Sequence, residues 1–341
     1  MFTIITSENK AQWDEVVHTM NNFDFYHLNA YHQMDQSGVS LLLHYSDKTS
    51  AFALPIVLRR IDGTKYNDIT SVYGYSGPLA DTTRPDRKSL TAFHQDLLRF
   101  FDENSVVSVF SRLHPLFPVQ EKILEGIGNT LDTGTTVAID LSLSETEQRR
   151  QYARSLRTAI NRLKRKNLIV KKAETQAEIE AYTAIYTETM RRVHASPIYF
   201  FDNAYFRRFL ETLPSALYVA YYEDKIIGGS LITDCNGIVQ LHLNATLNDY
   251  LYLSPLKYVW EQIRLSGVEK NRNYMHLGGG FGGSHDTLFE FKARFSHLHF
   301  PFKIWHYIHN RDIYDRLVHD KYPDHLPDSS FFPLYRLNDK S

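Results

Sequence analysis

Lys292 stands in the run Thr287-Leu288-Phe289-Glu290-Phe291-Lys292-Ala293-Arg294-Phe295, about one turn beyond Leu288 and among aromatic residues. A lysine in such company usually lays its stem on apolar surface and keeps its ammonium in water. Facing a cleft instead, the ammonium stabilises an oxyanion or a phosphate. Just ahead lies Leu277-Gly278-Gly279-Gly280-Phe281-Gly282-Gly283, between a predicted strand and a predicted helix. Glycines at Gly278, Gly279 and Gly280 let backbone N–H groups come close to a substrate, and the start of the next helix favours negative charge. The plainer alternative is a flexible turn. The run is no Walker loop, lacking the Gly-Lys-Ser/Thr ending, and it does not have the Rossmann spacing. A third segment, Val72-Tyr73-Gly74-Tyr75-Ser76-Gly77-Pro78-Leu79, leaves a predicted strand. Its glycines and proline fix a tight path, and Tyr73 and Tyr75 offer amphipathic surface to a ligand, or else pack back on their own domain.

A basic segment adds a binding element. Ten Lys and Arg and no Asp or Glu fall between Arg149 and Lys172, leaving 28 of the 38 basic residues against all 39 acidic ones elsewhere. Tyr152, Leu156, Ala159, Ile160 and Leu163 recur at steps of three and four, so the spacing predicts a helix over Gln151–Lys166. Arg150, Arg154, Arg157, Lys164 and Arg165 then project near the opposite face. A solvated helix surface is the ordinary meaning of such a face, but here no acidic residue relieves the mutual repulsion. A polyanion would relieve it: phosphates of a nucleotide or tRNA, or an anionic lipid surface. The 16 histidines, His297-Leu298-His299 included, are scattered, and Cys235 is the only cysteine, so neither a metal cluster nor an intramolecular disulfide is expected. No Gly-x-Ser-x-Gly elbow points to a covalent intermediate. Asp286, Glu290 and His242 are base candidates by position alone.

A length of 341 residues suggests two domains with enough apolar residues for sizeable cores. No apolar run reaches the roughly 18 residues needed to cross a bilayer, and the N-terminus lacks the n- and h-regions of a signal peptide, so a cytoplasmic protein is expected. In the second half the patterns predict a strand at 168–172, a helix from Thr175 to about His194, and a helix capped by Asp202. Strands follow at 216–222, 226–233 and 238–245, then a helix with Ser254 as N-cap and Pro255 at its first position, then a strand at 273–277 and a last strand near 302–308. The first half shows a similar order, with strands at 2–6, 41–45, 51–58, 69–73 and 106–110 and helices at 7–20, 30–35 and 86–101. The halves read as one unit used twice, with a boundary near 143–148. The expected architecture is α/β (α+β): two tandem domains over 1–145 and 146–325, each a mixed, mostly antiparallel sheet flanked by helices, and a tail over 326–341.

The repeated element order, the Tyr73–Pro78 loop and the run from Leu277 to Phe295 together resemble the Fem-type superfamily, which comprises tandem domains of the GNAT acetyltransferase fold. It includes the peptidoglycan-bridge aminoacyltransferases and acetyltransferases of polysaccharide synthesis. The likeness covers residues 1–310 and is strongest in the second half. It implies that Lys292 lies at the catalytic centre with Phe291 as its aromatic partner, that Thr189 and Arg191 hold phosphates of the wall precursor, and that Tyr73 and Tyr75 line the acceptor groove. Two features depart from relatives. The inserted helical arm of tRNA-dependent members is not visible. The glycine loop that cradles the coenzyme A pyrophosphate in plain acetyltransferases is replaced by Leu247-Asn248-Asp249-Tyr250-Leu251-Tyr252-Leu253-Ser254.

The resemblance implies an N-acyltransferase of peptidoglycan bridge formation, using no tightly bound cofactor and taking aminoacyl-tRNA or acyl-CoA as donor. The acceptor would be a small or lipid-linked molecule, with peripheral contact to a membrane surface. The alternatives are an acyl-CoA-dependent N-acetyltransferase and a non-catalytic anion-binding protein.

Overall fold

The structure, a computed structural model, describes residues 1–337. The chain forms two compact units, one of Met1–Thr133 together with the segment from Pro301 onward, the other of Gly134–Phe300. The first unit opens with β1 (Phe2–Thr6), α1 (Lys10–Thr19), α2 (Asn29–His32), β2 (Val39–Ser46), β3 (Ala51–Arg60), β4 (Asn67–Thr70) and β5 (Leu79–Ala80). It continues with α3 (Arg87–Glu103), β6 (Val106–Arg112), α4 (Val119–Leu124) and the start of β7 (Asn129–Asp140). Alternation sets the register of its central hairpin: Leu41, Leu43 and Tyr45 lie opposite Ile56, Leu54 and Phe52, and all six enter one core. Helix α3 lays Phe93, Leu97 and Phe100 on that core, and Asp86 caps it by accepting from Lys88 and Ser89 N–H.

The second unit follows with α5 (Glu145–Gln151), α6 (Arg154–Arg165), β8 (Ile169–Lys172), α7 (Gln176–Arg192) and α8 (Asn203–Thr212). Then come β9 (Ser215–Tyr222), β10 (Lys225–Cys235), β11 (Ile238–Thr246), α9 (Leu256–Glu269), β12 (Tyr274–Gly279), α10 (Thr287–Ala293) and the start of β13 (Leu298–Ile308). The chain ends in the first unit with the rest of β13 and α11 (Arg311–Lys321).

The two units share one topology. In the first, the strand order is β1-β2-β3-β4-β6-β13, antiparallel except for the parallel pair β4/β6. In the second it is β8-β9-β10-β11-β12-β7, antiparallel except for the parallel pair β11/β12. Each parallel pair is bridged by a helical crossover, α3 in one and α9 in the other, as parallel strands require. The repeat anticipated from pattern is therefore a repeat of fold. Each is a mixed, mostly antiparallel sheet with helices packed on it.

The division departs from the expected boundary near 145. The sixth strand of the second unit, β7, begins within the first, and the sixth strand of the first, β13, comes from the far end of the chain. Residues after 301 belong with the first unit because Ile313, Tyr314, Val318 and Tyr335 pack on Ile61 and Val107. The expected tail is thus partly core through Tyr335, and residues 338–341 lie outside the described residues.

Two local expectations are corrected. The basic segment is not one helix: Tyr152 and Ala153 are extended, so Arg150 sits on α5 while Arg154, Arg157, Lys164 and Arg165 sit on α6. The break follows from two tertiary bonds, Ala153 N–H to the Arg294 carbonyl (2.8 Å) and the Tyr152 hydroxyl to Glu261 (2.7 Å). Ser254 does not cap α9; it takes a left-handed φ of 53° at the end of a short 3-10 helix over Asn248–Leu253, and Pro255 stands at the N-cap. Helices α4 and α11 were not anticipated.

Candidate functional site

In the second unit, β11 and β12 pair only over Ile238–Gln240 with Tyr274–His276. Beyond Gln240 and His276 the two strands part toward their carboxyl ends, the place where open sheets with parallel strands receive ligands. The glycine run begins there. Gly278 has a φ of +75°, which a side chain rarely adopts. A Cβ on Gly280 would meet the Ser284 carbonyl at 2.0 Å and Asp286 Oδ1 at 2.5 Å, so the loop folds back on itself with no room for a side chain.

Asp286 holds this loop closed. Its carboxylate accepts from Phe281 N–H (2.8 Å) and, as N-cap of α10, from Phe289 N–H (2.9 Å). Burial pushes its pKa up, but these backbone bonds outweigh burial and hold it below the usual value. The glycines thus serve a tight, pinned turn.

Pinned in this way, α10 turns Lys292 inward. Only 9% of Lys292 is exposed, and its Nζ donates to the Gly279 carbonyl at 2.6 Å. Burial lowers its pKa from 10.5 to about 8, with the charge of Asp286 opposing the shift. Among the described residues no carboxylate lies within ion-pair distance of the ammonium. A buried lysine held by one carbonyl keeps further N–H donors for an incoming group. Phe291 packs edge-on against Trp260 (5.1 Å) and supports the helix from the core side. Trp260 in turn donates to Ser230 Oγ (3.1 Å) and Asn244 Oδ1 (3.0 Å), a polar trio on α9, β10 and β11 that the sequence did not reveal, since its members are far apart in the chain.

Thr189 is buried; its hydroxyl donates to the Thr246 carbonyl and accepts from Thr246 N–H, both at 3.2 Å, clasping the end of β11. Arg191 is exposed, and it is the neighbouring Arg192 that reaches Thr246 and Asn248. Arg150, Arg154, Lys164 and Arg165 are exposed, while Arg157 is half-buried and donates to the Arg149 carbonyl (3.3 Å). Tyr73 and Tyr75 belong to the first unit: Tyr73 is exposed, with its carbonyl accepting from Tyr31 (2.8 Å), and Tyr75 packs edge-on against Phe302 (5.4 Å). Of the base candidates, Asp286 is committed to the loop and Glu290 is exposed. His242 stacks on Phe209 (4.9 Å) and bonds to Tyr205 (3.2 Å), and burial lowers its pKa to about 3.

A surface cavity of about 580 Å³ lies between α7 and the β9–β10 hairpin and does not include Lys292 in its lining. The Glu178 carboxylate on its wall is engaged by Lys171, Tyr221 and two backbone N–H groups, so it offers no reactive group. No group of metal-ligating side chains occurs among the described residues, and none of their helices is long and apolar enough to cross a membrane.

No family model and no curated protein matches the sequence. Solved structures do match in fold. The chain is similar to FemX, with 11% identity and a TM-score of 0.72 over 93% of this chain and 99% of FemX. It is similar to L-PGS from Bacillus licheniformis, with 12% identity and a TM-score of 0.59 over 89% of this chain and 93% of that one. It also resembles the C-terminal domain of a putative lysylphosphatidylglycerol synthetase from Agrobacterium fabrum, with 13% identity and a TM-score of 0.57 over 87% of this chain and 91% of that one. The repeated unit, with its parted parallel pair and the buried lysine behind it, is set in a Fem-like fold.

Proposed function

We propose that this chain is an acyltransferase that moves an aminoacyl or acyl group onto an amine of a cell-wall or polysaccharide precursor, with Lys292 at the reacting centre. The observation that carries this reading is Lys292 itself: a nearly buried ammonium without a carboxylate partner, at the carboxyl ends of parted parallel strands. Burying an unpaired cation is costly, and such residues cluster where charge develops during a reaction. In acyl transfer the acceptor nitrogen attacks the acyl carbonyl, and the oxygen takes up the negative charge. Lys292 donates a hydrogen bond to that oxygen. When the intermediate collapses, the carbonyl re-forms, the bond to the leaving oxygen or sulfur breaks, and the proton lost by the nitrogen replaces on Lys292 the one passed to the leaving atom. A Lys292 pKa of about 8 lies close enough to neutrality for the same ammonium to pass a proton to the leaving atom.

Two donors fit this chemistry, and one feature favours an ester such as aminoacyl-tRNA over acyl-CoA. In the segment after β11, the N–H groups of Tyr250, Ser254, Lys257 and Tyr258 donate to the carbonyls of Leu247, Leu251, Ser254 and Pro255. Backbone amides so engaged are not offered to a diphosphate. The exposed Arg154, Arg162, Lys164 and Arg165 of α6 suit the phosphates of a tRNA donor, and a cytoplasmic site of action suits both donors.

The test is calorimetric titration with acetyl-CoA, a UDP-linked muropeptide and aminoacyl-tRNA, paired with a transfer assay on wild type and Lys292→Met. Transfer from aminoacyl-tRNA that the variant loses supports the reading. Turnover from acetyl-CoA alone moves the assignment to an N-acetyltransferase, and full activity in Lys292→Met overturns the role given to the lysine.

A further inference from the structure

The first unit holds three half-buried arginines, Arg59, Arg112 and Arg336. Two of them clasp the same buried carboxylate: Arg59 reaches Asp68 Oδ1 at 2.8 Å and Arg336 reaches Asp68 Oδ2 at 2.7 Å. Arg112 has no such partner; among the described residues no carboxylate lies within ion-pair distance of it. Its guanidinium lies over the Phe110 ring, 5.2 Å from the centroid.

Its main chain is fixed from both sides. The Arg112 N–H donates to Ser71 Oγ (3.3 Å), and its carbonyl accepts from Ser76 N–H (3.0 Å), so the Tyr73–Gly77 loop is tied to the residue that carries the guanidinium. Across the antiparallel ladder Arg112 lies opposite Ile304, and strand alternation puts Phe110, Arg112, Ile304 and Phe302 on one face. Phe302 holds Tyr75 edge-on at 5.4 Å, which brings the loop's second tyrosine to the same face. Arg112 is also the last residue of β6, the second strand of this unit's parallel pair, so it stands where Gly279 stands in the other unit.

We infer that Arg112, with Tyr75 and Phe302, forms an oxyanion-binding site for a carboxylate or phosphate borne on an organic group that lies against the two rings. The guanidinium fork matches either oxyanion with two parallel hydrogen bonds, and the aromatic floor already holds it in place. The inference deepens the acyltransferase reading, on which it rests for taking the oxyanion as part of the acceptor. Its test is a binding measurement that needs no turnover.

The probes are a UDP-linked muropeptide, UDP alone and the muropeptide freed from UDP, each titrated calorimetrically into full-length wild type, Arg112→Lys and Arg112→Met. Methionine retains an apolar stem over Phe110, and thermal unfolding checks that each variant is folded. Wild type is expected to bind the UDP-linked probe, and Arg112→Met to bind it about tenfold or more weakly, as befits a lost charge-assisted bond. Arg112→Lys, lacking the fork, is expected in between. An Arg112-dependent response to UDP alone assigns the site to phosphate, and one to the freed muropeptide assigns it to carboxylate. Equal affinity in wild type and Arg112→Met overturns the site while leaving acyl transfer standing. Failure of wild type to bind any of the three overturns it as well. Arg112-dependent binding in a protein that transfers no acyl group upholds the site and removes the acyltransferase reading.

Discussion

Lys292→Met tests, without any substrate, whether this lysine is kept for something other than stability. The folded state lowers the Lys292 pKa from 10.5 to about 8, mainly by burial. Below pH 8 both folded and unfolded chains carry the proton, and the fold bears the full cost of holding a buried ammonium, about 3 kcal/mol at 1.36 kcal/mol per pH unit. Between pH 8 and 10.5 the unfolded chain binds the proton and the folded chain does not, so wild-type stability rises with pH on account of this group. Methionine removes that dependence, and it leaves the Gly279 carbonyl without its donor, a loss of about 1–2 kcal/mol. At pH 7 the variant is therefore expected to be more stable than wild type by roughly 1–2 kcal/mol. By pH 10 the wild type regains about 2–3 kcal/mol, so that advantage should be gone and the order reversed by roughly 1 kcal/mol. Urea unfolding at the two pH values measures it, with Trp260, which packs on Phe291, as the fluorescent reporter in this unit. A variant that is less stable than wild type at pH 7, or a difference that does not change with pH, refutes the argument. In that case Lys292 is a structural donor to Gly279.

Gly280→Ala forces a methyl group to 2.0 Å from the Ser284 carbonyl, so a loss of more than about 2 kcal/mol in thermal unfolding is expected, together with loss of Lys292-dependent transfer. Arg264→Leu removes the buried partner of Glu261, which is 2% exposed and bonded to Arg264 at 3.0 Å, and leaves it Arg149 and the Tyr152 hydroxyl; urea unfolding should show a loss of about 2–3 kcal/mol, and adding Glu261→Leu should recover part of it. Glu178 has its pKa held below 4.5, first by Lys171 and despite burial, so the stability it contributes is present above pH 4.5 and fades as pH falls below that value. Glu178→Gln should therefore be less stable at neutral pH and show a shallower fall in Tm between pH 7 and pH 3.

What the sequence revealed and what it concealed divide along the range of the interactions involved. Period-two runs at Leu41–Tyr45 and Phe52–Ile56 set a hairpin because both strands carry the pattern and lie close in the chain. The apolar stripe Leu156, Ala159, Ile160 and Leu163 is buried as spaced, and Asp202 caps α8 through Tyr205 N–H. The break before α6 was hidden because its causes, Glu261 and Arg294, lie more than a hundred residues away. The same holds for the site. A lysine among phenylalanines gives no sign of whether it snorkels or turns inward; the loop pinned by Asp286 and the carbonyl of Gly279 decide that. The significance of Arg112 was less legible still, since it rests on Asp68 being claimed by Arg59 and by Arg336 from the opposite end of the chain.

One topological fact relates the two candidate sites. Among the described residues each unit has one pair of parallel strands, and each site lies at the carboxyl ends of that pair: Lys292 behind β12, and Arg112 at the end of β6. The segments that leave the first strand of each pair correspond as well, the tyrosine loop after β4 and the 3-10 helix Asn248–Leu253 after β11. Parallel strands leave their last carbonyls and loops free to shape a crevice, whereas the antiparallel hairpins elsewhere turn back on themselves and close. The repeat of the unit thus gives two such positions, spanned in the first by the Ser76–Leu113 bridge, and substitution can then specialise them. In the second unit the opening holds a lysine desolvated toward a pKa of about 8, an electrostatic setting suited to a bond being made. In the first it holds a guanidinium over an aromatic floor, a group whose planar fork is suited to holding a charged ligand in place. If that division of roles is correct, Arg112→Met should weaken binding of the charged acceptor and leave the pH dependence of turnover unchanged. Lys292→Met should abolish turnover and leave that binding intact. Variants that fail to separate in this way would show that the two openings do not have separate tasks.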